Sequence, residues 1–414
     1  MQLYETKSEQ ERVIMIGVSL HAADDTQASL DELEELVQTA GGQVCARIIQ
    51  IREQIHPGTY IGKGKLEELK DAIIEHNATG IVCDDELSPV QLRNMQMELD
   101  TKVMDRTLVI LDIFAKRATT NEGKIQVELA QLKYRLARLV GLRDSLSRLG
   151  GGIGTRGPGE KKLEMDRRFV KERISFLKKE LEQVKKHREV ARSKRSQNMV
   201  TVGAIVGYTN AGKSTLLNTL TQADVLEEDM LFATLDPTTR TLELPGKQKM
   251  LLTDTVGFIR KLPHHLIEAF RSTLEEAKYA DFILHVVDAS NPHMEQQMHT
   301  VYETLERLEI KDKPVITLFN KQDKAEELYM VRDFHAERTV RISARTGEGL
   351  EELKTVLEEL IRNRKVYFEG LIVYTDAGKI QQIRQKGELL KEDYQPEGIY
   401  VQAYVSKELY QKLV

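Results

Sequence analysis

Cysteine is nearly absent from this chain of 414 residues, which has two, Cys45 and Cys83. They lie far apart, with no CxxC pair and no nearby histidine, so neither a disulfide framework nor a zinc site organises the fold. Each sits in an apolar, strand-like run and reads as a small core residue. Long hydrophobic runs are missing as well. No apolar stretch reaches the roughly 18 residues that a membrane span requires, and the segment from Met1 to Arg12 is polar. The expected location is therefore the cytoplasm, with no membrane span. A large excess of positive charge is also lacking: 60 Lys and Arg against 65 Asp and Glu give a net charge of −5, so the whole molecule is no nucleic-acid polycation. The length allows two or three domains with substantial cores.

What is present is more specific. The apolar run Val202-Gly203-Ala204-Ile205-Val206 is followed by Gly207-Tyr208-Thr209-Asn210-Ala211-Gly212-Lys213-Ser214, and Thr215-Leu216-Leu217 then opens a helical pattern. That order is strand, phosphate loop, helix. The bordering glycines let backbone N–H groups curl around an anion, Lys213 reaches the β/γ-phosphates, and the Ser214 hydroxyl ligates Mg²⁺. The substrate is a nucleoside triphosphate.

Downstream motifs name the base. Asp254-Thr255-Val256-Gly257 follows the strand-like Met250-Leu251-Leu252, which places a carboxylate at a strand end and a glycine amide where it meets a γ-phosphate. Asn320-Lys321-Gln322-Asp323 follows the apolar run Pro314 to Phe319. The Asp323 carboxylate accepts two hydrogen bonds from N1–H and the exocyclic 2-amino group of guanine. Adenine offers neither donor there and leaves the carboxylate unpaired, a penalty of roughly 1–3 kcal/mol or more. Ser343-Ala344-Arg345, after Val340-Arg341-Ile342, supplies a loop whose backbone reaches the guanine 6-oxygen. In this order the four motifs resemble those of the translation-factor-like GTPases.

The first switch then falls between Leu226 and Thr241, and it reads Leu231-Phe232-Ala233-Thr234-Leu235-Asp236-Pro237-Thr238-Thr239-Arg240. This stretch resembles the switch of the HflX family of ribosome-associated GTPases. The match places the second Mg²⁺-ligating hydroxyl on Thr234, with Phe232, Ala233, Leu235 and Asp236 also near the nucleotide. Spacing alone does not separate Thr234 from Thr238 and Thr239.

The remaining segments are legible by periodicity. From Val13 to about Arg117, apolar strands alternate with amphipathic helices, which predicts a small α/β domain with a mainly parallel sheet. Gly62-Lys63-Gly64-Lys65 inside it precedes a helix but lacks a Ser/Thr metal ligand, and reads as a glycine turn with solvated lysines. Ile125, Leu129, Leu132, Leu136 and Leu139 step by four and three, as do Val170, Ile174, Leu177, Leu181 and Val184. Each set forms one seam of an antiparallel helical hairpin. Its tip, residues 149–160, is glycine-rich and cannot build a core. Between Lys161 and Arg195 Lys and Arg outnumber Asp and Glu, the footprint of a polyanion site, here RNA. A C-terminal module is expected from Val366-Tyr367-Phe368, Leu371 to Tyr374, a helix near Ile380 to Arg384, and Ile399 to Val405.

The expected fold is thus α/β: a P-loop GTPase domain (199–364) preceded by a small α/β domain (1–117) and a helical hairpin (118–198), and followed by a small α+β domain (365–414). The HflX resemblance covers nearly all of this. It implies a protein that binds the large ribosomal subunit and its rRNA through the N-terminal domain and hairpin, and splits stalled or idle ribosomes under stress with GTP; off the ribosome a monomer is expected.

Mechanistically, Lys213 stabilises β/γ-phosphate charge, Ser214 and Thr234 ligate Mg²⁺, Asp254 holds the metal through water, and the Gly257 amide meets the γ-phosphate. Many GTPases carry glutamine just after that glycine to orient the attacking water; this chain has Phe258, which neither donates nor accepts that hydrogen bond, so unassisted hydrolysis is expected to be slow. Asn210 occupies the position at which potassium-activated GTPases hold K⁺ against the β/γ-phosphates, and its alternative role is a bond to its own backbone. Two other function classes stay open: a GTPase acting in tRNA modification, and a largely non-catalytic, GTP-gated RNA-binding switch.

Overall fold

The computed structural model describes residues 10–20, 25–146, 158–197, 200–221, 230–245, 248–263, 266, 271–324, 332–363, 365–405 and 407–413. The chain forms two compact units: Met1–Val184 with Asp229–Leu235 and Arg260–Arg271, and Lys185–Glu228 with Asp236–Ile259 and Ser272–Val414.

The first unit begins with the expected alternation. Strands β1 (Arg12–Ser19), β2 (Gln43–Ile51), β3 (Gly80–Cys83) and β4 (Lys102–Asp105) alternate with helices α1 (Thr26–Thr39), α2 (Lys63–Glu75), α3 (Pro89–Leu99) and α4 (Arg106–Arg117). All strands pair in parallel, in the order β2-β1-β3-β4. The run Val13 to Val18 is buried throughout because helices cover both faces of such a sheet, so no polar residue alternates into it. Local chemistry sets the helix starts. Ser88 accepts from Gln91 N while Gln91 reaches back to Ser88 N, a capping box with Pro89 at the first turn. Asp105 caps α4 by accepting from Leu108 N at 3.0 Å. Gly62 precedes α2 with its N–H already given to Gln50 Oε1 at 2.9 Å, in keeping with a turn.

The long helices α5 (Asn121–Leu146) and α6 (Pro158–Gln197) follow. Ile125, Leu129, Val170, Ile174, Leu177 and Leu181 form one buried cluster, with Leu132, Leu136 and Leu139 packed on it. Val184, at the end of the predicted seam, is only half-buried. Pro158, Gly159 and Glu160, expected in the glycine-rich tip, are instead the first turn of α6, where proline's missing N–H carries no penalty. The rest of that tip, residues 149–157, lies outside the described residues.

The second unit holds a six-stranded sheet in the order β10-β9-β8-β5-β7-β6, made of β5 (Thr201–Gly207), β6 (Thr238–Glu243), β7 (Lys249–Asp254), β8 (Phe282–Asp288), β9 (Val315–Asn320) and β10 (Arg338–Arg341). Only β6 runs antiparallel. Helices α7 (Lys213–Thr221), α8 (Arg271–Tyr279), α9 (Met294–Arg307) and α10 (Leu350–Asn363) accompany it. After β5 the chain pairs β7 on one side and β8 on the other, so the order reverses at β5, and the crevice beyond its C-terminal end is where such sheets bind ligands. The last module is a three-stranded antiparallel sheet, β11 (Val366–Ile372), β13 (Gly398–Val405) and β12 (Glu388–Gln395), with α11 (Ala377–Lys386) and α12 (Lys407–Leu413). Val366 to Ile372 of its first two expected runs form the single strand β11, while Val373 and Tyr374, expected in the second run, lie beyond it, Tyr374 opening a 3-10 turn. Among the described residues no helix is long and apolar enough to cross a membrane.

Leu177 is 1% exposed in the hairpin seam. Leu177→Ala is expected to lower stability by about 2–5 kcal/mol in denaturant unfolding, and a loss below about 1 kcal/mol would mean that the seam is loosely packed.

Candidate nucleotide-binding site

Strand β5 ends at Gly207 and α7 begins at Lys213, so the glycine-bordered loop sits at the sheet's reversal point. Two residues there take left-handed backbone, Asn210 (φ 60°) and Gly212 (φ 95°). Glycine is needed at 212 because a Cβ would run into the Asn320 side-chain nitrogen. Asn320 is 2% exposed, donates Nδ2 to Ala211 O at 2.8 Å and accepts from Ala344 N at 2.8 Å. One side chain therefore ties the phosphate loop to both expected base-recognition loops.

The phosphate-side groups converge. The Lys213 amine is buried and donates to Tyr208 O at 2.7 Å. Burial pushes its pKa down to about 8, partly opposed by Asp254 and aided by Lys321. Ser214 Oγ donates to Asp254 Oδ2 at 2.8 Å, which brings the two expected metal-side groups together. A Cβ on Gly257 would lie 2.9 Å from Lys213 Nζ and 2.8 Å from Thr209 Cγ2, so only glycine brings this backbone against the amine. Thr255 is engaged elsewhere, donating its hydroxyl to Ile205 O at 2.7 Å, and Val256 is buried. Phe258 N donates to Gly207 O at 3.1 Å and its carbonyl accepts from Thr209 N at 2.8 Å, pinning the second switch to the phosphate loop. The Phe258 ring is itself 1% exposed.

The base side is equally built. Ser343 Oγ donates to Asp323 Oδ1 at 2.6 Å. That bond, joined by Arg345 and Lys324, holds the exposed Asp323 carboxyl below the usual carboxylate range. Lys321 adopts left-handed backbone (φ 65°) and its amine pairs with Asp288 at 2.7 Å. Gln322 donates Nε2 to Phe319 O at 3.1 Å. Arg345 is exposed beside the buried Ser343 and Ala344.

The first switch divides. Phe232, Ala233, Thr234 and Leu235 belong to the first compact unit and Asp236 to the second. Phe232 is buried, with its ring centroid 4.6 Å from that of Phe114 on α4. Of the rival hydroxyls, Thr239 Oγ1 is 2.9 Å from Thr253 Oγ1 across the β6–β7 pair. Sequence reasoning missed Asp288, whose only signal is a carboxylate closing the apolar strand β8, and the double tie of Asn320.

A phosphate loop at the reversal point of a mostly parallel sheet, with a serine–aspartate pair and a serine-held base carboxylate, defines a P-loop GTPase. Family profiles agree segment by segment: one described as "GTP-binding GTPase N-terminal" matches residues 27–115, a "GTP-binding GTPase Middle Region" matches 117–195, and a "50S ribosome-binding GTPase" matches 202–321. The chain is 67% identical over 412 residues to a GTPase HflX of Lacrimispora saccharolytica, covering 100% of this chain and 97% of that relative. It is 46% identical over 409 residues to the GTPase HflX of Caldanaerobacter subterraneus subsp. tengcongensis, covering 99% and 94%. Against the GTPase HflX of Escherichia coli the identity is 43% over 339 residues, with 81% and 80% covered. The chain belongs to the HflX family of GTPases.

Ser343→Ala removes a hydrogen bond to a charged group, worth about 1.5–3 kcal/mol. GDP affinity measured by calorimetry should fall roughly tenfold or more. An unchanged affinity would show that the carboxylate needs no such support.

Proposed function

We propose that this GTPase binds the large ribosomal subunit and its rRNA and splits stalled or idle ribosomes under stress, with hydrolysis stimulated by the ribosome and coupled to release. The supporting observation is α6. Its buried seam packs on α5, while Lys171, Lys178 and Lys179 stand exposed along the rest of the helix, beside Arg168, which is paired with Glu172 at 2.9 Å. A basic surface on a protein of net charge −5 suits a polyanion and not general adhesion. The description "50S ribosome-binding GTPase", matched over residues 202–321, points to the same partner. We assign the N-terminal α/β domain to 1–117, the hairpin to 118–198, the GTPase domain to 199–364 and the C-terminal domain to 365–414. The protein acts in the cytoplasm and is a monomer away from ribosomes.

The site fits Mg²⁺: the bond between Ser214 and Asp254 already gathers a hydroxyl ligand and a carboxylate able to hold a metal-bound water. Thr234 would supply the second hydroxyl in the bound state, with the backbone of Phe232 to Asp236 near the nucleotide. When bound, the ion neutralises charge on the β/γ-phosphate oxygens. The chain's own contributions are the Lys213 amine, whose positive charge the phosphates would stabilise, the Gly257 amide on the γ-phosphate, and the loops through Thr209 and Ala211 around the tail. Lys321, Gln322, Asp323, Ser343, Ala344 and Arg345 hold the base. We assign the role of general base to no residue. The Phe258 ring is packed inside the protein, so nothing at this position orients the attacking water, and turnover without a partner is slow. Asn210, in a left-handed loop position, would be the residue that holds K⁺, which would supply positive charge toward the β/γ-phosphates.

Sedimentation of ribosomes with the protein and GTP, a non-hydrolysable analogue or GDP tests the reading. Subunit separation is expected with the triphosphates alone. Intact ribosomes in every arm, with the protein found on tRNA, would favour the tRNA-modification class. Equal splitting by the analogue assigns hydrolysis to release. Turnover should rise on adding large subunits and should be faster in K⁺ than in Na⁺ at fixed ionic strength; equal rates in the two salts reject the role of Asn210.

A further inference from the structure

The first compact unit includes two short pieces of the GTPase sequence, Asp229–Leu235 and Arg260–Arg271. Phe232 of the first piece packs on Phe114 of α4, and Arg260 and Lys261 of the second meet the C-terminal edge of the parallel sheet β2-β1-β3-β4, where the loops after the adjacent strands β1, β3 and β4 bring charge. Asp25 precedes α1, Asp84 and Asp85 follow β3, and Arg106 opens α4 directly after β4.

These groups grip the second switch. Lys261 Nζ lies 2.5 Å from Asp84 Oδ2 and 2.8 Å from Asp85 Oδ1. Arg260 pairs with Asp25 at 2.8 Å, and its backbone carbonyl accepts from Arg106 at 3.1 Å. Arg106 is 1% exposed and is itself held by Asp84 at 3.1 Å, Glu32 at 2.6 Å and Ser29 O at 2.8 Å. Ser29 Oγ donates to Asp84 Oδ2 at 2.7 Å, and Tyr60 OH donates to Asp85 at 2.6 Å. Burial pushes the Asp84 carboxyl up, but Arg106 and Lys261 outweigh it, and the net result lies below the usual carboxylate range. The carboxylate is charged and committed.

The backbone of both pieces is constrained at one residue each. Lys261 and Phe232 both sit in left-handed backbone, at φ 53° and 55°, although neither is glycine. Such residues persist only where their surroundings over-determine them. Phe232 is fixed by Phe114 and Lys261 by the two aspartates. Arg260 is separated from Gly257 only by Phe258 and Ile259, both buried.

We propose that Asp84, Arg106 and Lys261 are positioning residues for GTP hydrolysis, acting through the second switch: they fix the backbone from Gly257 to Lys261 and make this sheet edge respond to the third phosphate. The inference rests on reading Gly257 as the γ-phosphate contact. It extends the site to a charge cluster that no phosphate-binding or base-binding motif includes.

Amide hydrogen exchange on the full chain, with GDP and with a non-hydrolysable GTP analogue, tests it. In the unaltered protein, peptides covering residues 84–88 and 106–110 should change their exchange by about fivefold or more between nucleotides, together with residues 255–261. Lys261→Gln, at a side chain 38% exposed and hence removable without opening the core, should erase the difference at 84–88 and 106–110. The same variant should lower kcat for GTP about fivefold with KM unchanged, because orientation and not binding is lost. Lys261→Arg should restore both readouts. If residues 255–261 themselves do not respond to the nucleotide, the γ-phosphate reading and the inference fall together. If they respond while 84–88 and 106–110 do not, or if Lys261→Gln keeps the difference or the full kcat, the inference alone is overturned.

Discussion

The Asn320 side chain is the constraint on which the site depends. Its amide spends both ends at once, the nitrogen on the phosphate-loop carbonyl of Ala211 and the oxygen on the amide of Ala344. A nucleotide has a fixed length between base and phosphates, so a protein that reads both must hold the two loops at matching separation before the ligand arrives. Asn320 does this from the end of β9, where a buried strand supplies rigidity. Gly212 follows as a requirement, since any side chain there would displace the amide. Asp323 and Ser343 then stand at one end of a fixed gauge and Lys213 at the other.

At the phosphate end the structure stores electrostatic tension. Lys213 is buried deeply enough that its proton is held weakly, with pKa about 8, and its nearest partner is a backbone carbonyl. In the proposed site an arriving polyphosphate would relieve that desolvation, so the binding energy gained from the charge would be larger than at a solvated lysine. The second switch is pinned on the same loop through both backbone groups of Phe258. Phosphate-loop and switch positions are therefore coupled by main chain, whichever side chain follows Gly257.

Much of this was legible in the sequence because the signals are periodic or chemically singular. The parallel alternation of Val13 to Arg117 and the paired seam of the hairpin are hydrophobic patterns, and the structure has both. The phosphate loop and Asn320 to Asp323 are fixed spacings of residues with one physical use. What escaped lacked either mark. Strand β12 (Glu388–Gln395) reads as a charged run, and only pairing with β13 makes it a strand. The first turn of α6 was hidden by the glycines around Pro158, where local flexibility argued against a helix that the long α6 propagates. Asp288 and the cluster of Asp84, Arg106 and Lys261 bring together residues distant in sequence, and no spacing rule reaches across such separations.

The central claim is that one carboxylate, held by Ser343, selects the purine. Exchange of that group alone is the most direct test: in Asp323→Asn the amide presents a donor where guanine also presents one, while xanthine offers a carbonyl at that position. Competition binding should show that Asp323→Asn loses guanine nucleotides by about a hundredfold and gains xanthosine nucleotides, corresponding to roughly 2.7 kcal/mol. A variant that still prefers GTP to xanthosine triphosphate, or an unaltered protein that binds ATP as tightly as GTP, would contradict the account.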